Sequence, residues 1–300
     1  MPAVHDPAFS LRRRLFPRPS RAPQRAGAAT GAASAVPWII VCGLVALALL
    51  LVSPASAAAP DNKDMTPDCA APAMMAHLDA PLPHTTARLR SGEPLIIVAI
   101  GSSSTQGVGA SSPGFSYPAR LEAEFIARLP GQPVHVINKG VAGERVPDML
   151  ARFDRDVLAL HPDLVIWQVG TNAVLRHDNI VQDESLVRQG IRRLKAADID
   201  LVLMDLQYAP KVLSTPGYEE MLSGLDAVGR LEGAPVFHRF GIMRLWATRS
   251  NHDWAAMLSP DQLHMNDWSY GCLARLLVTA ILDGTGDKDA VPMLPAATDR

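Results

Sequence analysis

The chain has 300 residues, 28 basic against 30 acidic for a formal charge of −2, and is 48% hydrophobic and 19% charged. That length and apolar content suit one large domain or two small ones and exclude a disordered chain. A near-neutral balance with 5% aromatic residues argues against a nucleic-acid partner, and three cysteines without CxxC or Cys/His spacing exclude a disulfide scaffold and a zinc site.

The averages conceal an uneven N-terminus. Residues 1–57 hold six of the basic residues (Arg12, Arg13, Arg14, Arg18, Arg21, Arg25) and a single acid, Asp6. Residues 36–52 carry no charge, and Ala55-Ser56-Ala57 then supplies the small-x-small pattern of a signal-peptidase site. A basic stretch, an apolar run and such a site read as a secretory signal over 1–57. The alternative is an uncleaved signal anchor, because the run is near the ~17-residue minimum for crossing a bilayer. The expected location is periplasmic or secreted, or membrane-anchored with the domain outside the cytoplasm. The remainder keeps 22 basic and 29 acidic residues, a net charge of −7, which strengthens the case against nucleic acid and anionic membrane surfaces. Membrane contact is expected only through an anchor. Export also brings Cys69 and Cys272 into an oxidising compartment, where pairing them would staple the N-terminal extension to the last helix. Two buried free thiols are the other possibility.

Residues 58–92, rich in Pro and Ala, read as a linker or surface wrap. From there apolar runs alternate with helical periodicity. Residues 94–100 form a short continuous apolar run ending at Gly101, the pattern of a strand buried on both faces. Tyr117, Leu121, Phe125 and Leu129 recur every four residues between Pro118 and Pro130-Gly131, which predicts an amphipathic helix. A second strand is expected over 134–138 and a second helix over 147–160. Further strands fall at 164–169 and 200–206, with helices near 185–197 and 218–231, and a last short strand at 235–237. The final helix is capped by Asn266 or Asp267, carries Trp268, Cys272, Leu276 and Ala280 in one row with Leu273, Leu277 and Ile281 beside them, and ends at Gly284. Such alternation predicts one α/β domain over 93–284, a doubly wound, flavodoxin-like parallel sheet of about five strands with helices on both faces, and a tail over 285–300. Ligands of such sheets collect beyond the carboxyl ends of the strands.

Three loops follow predicted strands. Gly101-Ser102-Ser103-Ser104-Thr105-Gln106-Gly107 presents serine hydroxyls and converging backbone N–H groups, but lacks the lysine of a Walker A loop and the last glycine of GxSxG. Asn138-Lys139-Gly140-Val141-Ala142-Gly143 and Gly170-Thr171-Asn172 add glycines and amide donors, which in isolation read equally as turns. Near the C-terminus, Asp261-Gln262-Leu263-His264 puts a carboxylate three residues before an imidazole, a spacing that brings both to one side of a turn. The carboxylate can then hold Nδ1–H and leave Nε2 as a base.

The combination resembles the SGNH (GDSL) hydrolase family, whose motif blocks occur in this order over residues 94–283. The resemblance implies Ser103 as nucleophile, His264 as base and Asp261 as its orienting acid. It implies an oxyanion hole formed by the Ser103 and Gly143 N–H groups and the Asn172 amide. Two positions depart from the family pattern: Ser102 where aspartate is usual, and Ala173 where an acid often follows the asparagine. The implied activity is hydrolysis of small acyl esters, acetyl or short-chain, through an acyl-enzyme, with deacetylation of glycans a candidate substrate class. No metal or cofactor is called for, the expected partner is a small-molecule or glycan ester, and a monomer is expected. An O-acyltransferase acting on extracellular glycans uses the same groups, and a non-catalytic glycan-binding module could share the fold. His135, His177, His238 and His252 compete for the base role, and Trp167, Tyr117 and Tyr208 are either core or pocket residues.

Overall fold

In the computed structural model, Cys69 and residues 71–286 are described; the expected signal over 1–57 and most of the tail lie outside them. Five parallel strands carry the fold: β1 (Leu95–Gly101), β2 (Val134–Gly140), β3 (Leu164–Gln168), β4 (Asp200–Met204) and β5 (Val236–Phe237), in the order β2-β1-β3-β4-β5. Parallel neighbours need crossover connections, and helices supply them. In chain order these are α1 (Pro83–Ser91), α2 (Ser103–Gln106), α3 (Tyr117–Arg128), α4 (Val146–Ala151), α5 (Phe153–Asp156), α6 (Thr171–Leu175), α7 (Ile180–Ala196), α8 (Pro210–Leu213), α9 (Tyr218–Glu232), α10 (Arg239–Arg249) and α11 (Asp267–Gly284). The doubly wound α/β class is therefore as the alternation predicts.

Strand burial explains the unbroken apolar runs. Every residue of β3 and β4 is buried, and β1 is buried except at Ile96. On one side α3 packs on α11, and on the other α7 packs on α4 and α9. Edge strand β2 is more open, with only Val134 buried and His135 and Asn138 exposed.

Several boundaries differ from expectation. The helix expected over 147–160 is broken into α4, α5 and a 3-10 turn at Leu158–Leu160. Arg152 sits at the break, only 8% exposed, with its guanidinium turned inward to Glu144 Oε2 (2.8 Å from Nε), Asp156 Oδ2 (3.2 Å) and the Lys139 carbonyl (2.8 Å). A buried charge must be paired, and meeting three partners at the strand ends takes precedence over helix continuity. Part of the 58–92 wrap is helical, since α1 docks with the Thr85 N–H on Asp200 Oδ2 (2.8 Å), and Leu78 and Leu82 enter the core. Helix α7 begins five residues early, where the Asn179 side chain accepts from the Gln182 N–H. Helix α10 has no counterpart among the expected elements; it begins without a side-chain cap. The last helix keeps its expected bounds: Asn266 is the cap of α11, accepting from the Ser269 N–H, and Gly284 is its final residue. Cys69 and Cys272 are joined by a disulfide across 203 residues of sequence.

Candidate active site

The strand order reverses at β1, so loops after β1 and β3 diverge to opposite faces and leave a crevice at their carboxyl ends. Ser103 opens α2 at that edge. Its Oγ lies 2.7 Å from His264 Nε2, and His264 Nδ1 lies 2.5 Å from Asp261 Oδ2. A carboxylate only accepts, so Nδ1 carries the proton and Nε2 presents its lone pair to the serine hydroxyl. The side chain of His264 is largely buried and that of Asp261 is half open.

The base loop is built to hold this geometry. A single antiparallel bridge joins Leu258 to Met265, and the Ser259 N–H donates to the His264 carbonyl at 2.8 Å. Inside the turn, Asp261 Oδ1 accepts from the Leu263 N–H (3.0 Å), the His264 N–H (2.9 Å) and the Ser259 hydroxyl (2.8 Å). Burial pushes this carboxyl up, but the hydrogen bonds from His264, Ser259 and Leu263 outweigh it and hold it well below the usual carboxylate range. Asp261 is thus a fixed anion.

The nucleophile turn is anchored from below by two glutamines that the sequence reading missed. Gln168 Oε1, at the end of β3, accepts from both the N–H and the hydroxyl of Ser102 at 2.9 Å. Gln207 Oε1 accepts from the Ser104 hydroxyl (3.2 Å) and the Thr171 hydroxyl (3.1 Å), while its Nε2 donates to the Leu263 carbonyl at 3.4 Å. One buried amide therefore ties the nucleophile turn, the Asn172 turn and the base loop together. A polar residue at the end of each apolar run was the available signal, because a buried amide needs partners. Ser102, where the resembled family has aspartate, keeps a hydrogen-bonding role through Gln168.

The loop after β2 supplies the third wall. Asn138 Nδ2 donates to the Thr105 carbonyl at 2.8 Å, and Gly140 passes so close to Thr105 and Gln106 that a Cβ there would overlap their backbone. Gly143 has φ +80°, the left-handed region that favours glycine. Among the described residues neither the Ser103 nor the Gly143 N–H has an acceptor. Asn172 Nδ2 donates one proton to the Glu144 carbonyl at 2.9 Å, leaving the other without a partner. Glu144 is itself held by Arg152.

The competing residues lie elsewhere. His238 stands 3.6 Å from both Asp205 and Asp226, beyond β5, and the Asp205 carboxylate raises its imidazole pKa against the lowering effect of burial. His177 and His252 occupy left-handed turn positions, and His135 is exposed on β2. Trp167 and Tyr117 are fully buried core residues, whereas Tyr208 is only partly buried.

A model of the Non-GDSL lipase-like family matches residues 68–287. The chain belongs to that family. Its membership supports the broader GDSL-related superfamily that the motif order suggested, while marking a family distinct from GDSL proper. An acetylxylan esterase of Geobacillus stearothermophilus is 33% identical over 95 residues, covering 30% of this family member and 43% of the relative. The chain thus aligns with under half of that relative's length. The crystal structure of Axe2, an acetylxylan esterase from the same organism, superposes with a TM-score of 0.51 at 22% identity, over 64% of this chain and 94% of the other. A two-domain esterase active on acetylated mannans gives 0.59 at 20% identity, over 75% of this chain and 60% of the other. At such identities the structural likeness establishes the shared fold.

Proposed function

We propose that this protein is a serine ester hydrolase that removes small acyl groups, acetyl foremost, from carbohydrate esters. The observation that carries the reading is the continuous hydrogen-bonded line Ser103–His264–Asp261. A serine hydroxyl is a poor nucleophile at neutral pH without an adjacent base, and a pure binding module needs no such line. The acetylxylan and acetylated-mannan activities named for the related proteins support acetylated glycans as the substrate class.

In this mechanism His264 Nε2 takes the Ser103 proton as Oγ attacks the ester carbonyl carbon. The ester carbonyl oxygen becomes an oxyanion, stabilised by the Ser103 and Gly143 N–H groups and the open proton of Asn172. As the acyl carbon–sugar oxygen bond breaks, His264 gives that proton to the departing oxygen, leaving an acyl-Ser103 and a free sugar hydroxyl. Water, deprotonated by the same nitrogen, attacks the acyl carbon and releases the carboxylic acid and free serine. Asp261 stays ionised throughout, fixing the imidazole tautomer and stabilising the imidazolium. The basic, then apolar, then small-residue pattern of residues 1–57 supports action outside the cytoplasm on extracellular or cell-wall glycans.

The test is fluorophosphonate labelling together with turnover of 4-nitrophenyl acetate. Wild type is expected to label and turn over. Ser103→Ala is expected not to label and to lose activity by about 10⁶, the scale on which an intact triad acts. Undiminished turnover in Ser103→Ala would overturn the assignment.

A further inference from the structure

Beyond the carboxyl ends of β4 and β5 lies a second cavity, of about 590 Å³, that the ester chemistry does not use. Its size falls within the roughly 300–1,000 Å³ typical of small-molecule sites. Tyr208, Tyr218 and Phe240 form an aromatic wall: Tyr218 stacks on Phe240 with centroids 5.6 Å apart, and Tyr208 meets Phe240 edge-on at 5.1 Å. Phe240 is buried beneath, whereas Tyr208 and Tyr218 keep part of their surface open.

The polar groups around these rings divide into fixed and free. Asp205 is engaged inward, accepting from the Phe240 N–H at 2.8 Å and facing His238. Arg244 is exposed at the cavity and its guanidinium has no ion pair or hydrogen bond among the described residues. Among the described residues the Glu219 carboxylate bonds only the Tyr218 hydroxyl, at 3.2 Å, and the Asp226 carboxylate only approaches His238, at 3.6 Å. A carboxylate pair and a guanidinium beside open tyrosine faces match a sugar ring, whose C–H faces lie on aromatic carbon and whose hydroxyls take hydrogen bonds from charged groups. A fatty acyl chain would instead desolvate these charges without replacing their hydrogen bonds. A phosphorylated ligand would meet more carboxylates than cations.

Shared framework links the cavity to the triad. Tyr208 directly follows Gln207, the residue bonded to Ser104 and to the Leu263 carbonyl. It also packs on Trp254, at 5.4 Å, in the segment that leads into the base loop. We propose that this cavity is a subsite for unsubstituted sugar units of a neutral glycan flanking the unit whose ester reaches Ser103. The proposal rests on the reading of Ser103 as a carbohydrate-ester nucleophile and assigns the part of the substrate that the triad does not touch.

The test uses the full chain carrying Ser103→Ala, titrated by calorimetry with xylohexaose and with mannohexaose, neither of them acylated. At least one is expected to bind, and adding Tyr218→Ala or Arg244→Ala is expected to weaken that binding tenfold or more. Arg244 is exposed, so its variant reports on binding without disturbing the core, and circular dichroism checks both folds. In the active background the same substitutions are expected to lower the ratio of kcat/KM on acetylated oligosaccharide to that on 4-nitrophenyl acetate by tenfold or more, chiefly through KM. Absence of binding to either hexasaccharide, or binding and a ratio that survive both substitutions, would overturn the subsite. Failure of wild type to cleave any acyl ester, with Tyr218-dependent oligosaccharide binding retained, would overturn the esterase reading while supporting the subsite.

Discussion

Asn172 has two amide protons, and the Glu144 carbonyl takes one, which fixes the amide plane and directs the other. Its truncation removes a donor whose orientation is already set before any oxyanion forms. Asn172→Ala is therefore expected to lower kcat by 10²–10³, about 3 kcal/mol, with little change in KM on 4-nitrophenyl acetate; a change confined to KM would contradict the role. Asp183 shows the opposite situation, a carboxyl without support. It is buried, its Oδ2 has no hydrogen-bond partner among the described residues, and burial together with the nearby Asp178 charge pushes its pKa up to about 6 against the pull of Arg145. A carboxyl with a raised folded value favours the protonated native state, so its contribution is best at low pH and declines as pH rises from the ordinary carboxylate range through about 6. Asp183→Asn should thus raise Tm at pH 8 and leave it nearly unchanged at pH 4. Thermal melts at the two pH values check this, and an equal shift at both would be the contrary result.

At the scale of elements, α7 lies against β3 through a contact that only glycine allows. A methyl at Gly190 would overlap the Trp167 ring, which is fully buried, held edge-on by Phe153 at 4.9 Å, and donates its Nε1–H toward Met149 Sδ. Two effects compete in Gly190→Ala. Helix propensity gains up to about 1 kcal/mol, while overpacking a filled core costs roughly 1–3 kcal/mol. With the indole clamped on two sides the steric cost prevails, so the variant should unfold at lower denaturant than wild type, measured by urea titration with Trp fluorescence. Arg152 decides another element. Its side chain ties Glu144, Asp156 and the Lys139 carbonyl into one cluster beneath the loop that carries Gly143, and the helix that local sequence favours over 147–160 yields to it. Helical spacing could not report this, because Arg152 looks like an ordinary exposed position until the strand ends gather around it.

For the whole molecule, the Cys69–Cys272 disulfide closes a loop of about 200 residues and ties the segment before α1 to α11, and the Cys69 carbonyl accepts from Trp246 Nε1 of α10 at 3.3 Å. Closing so long a loop restricts the unfolded chain, a contribution of roughly 2–5 kcal/mol. The double variant Cys69→Ala, Cys272→Ala should therefore melt several degrees lower than the oxidised protein, and reduced wild type should follow it; identical melting of all three would show that the bridge is not stabilising. The alternation of apolar runs and helical spacing determined by itself the parallel α/β class, the strands and the loops that hold Ser103, Asn172, Asp261 and His264, because burial on both faces and turn chemistry are local constraints written in residue type. Only the tertiary structure decided how those loops meet. The 2.7 Å approach of His264 to Ser103 spans 161 residues and depends on Gln168, Gln207 and Arg152, whose partners are brought together by strand order rather than by sequence spacing. The Tyr208–Tyr218–Phe240 wall likewise exists only where the ends of β4 and β5 converge. Local spacing encodes which groups are present; packing across distant segments fixes the distances and desolvation that make them act together.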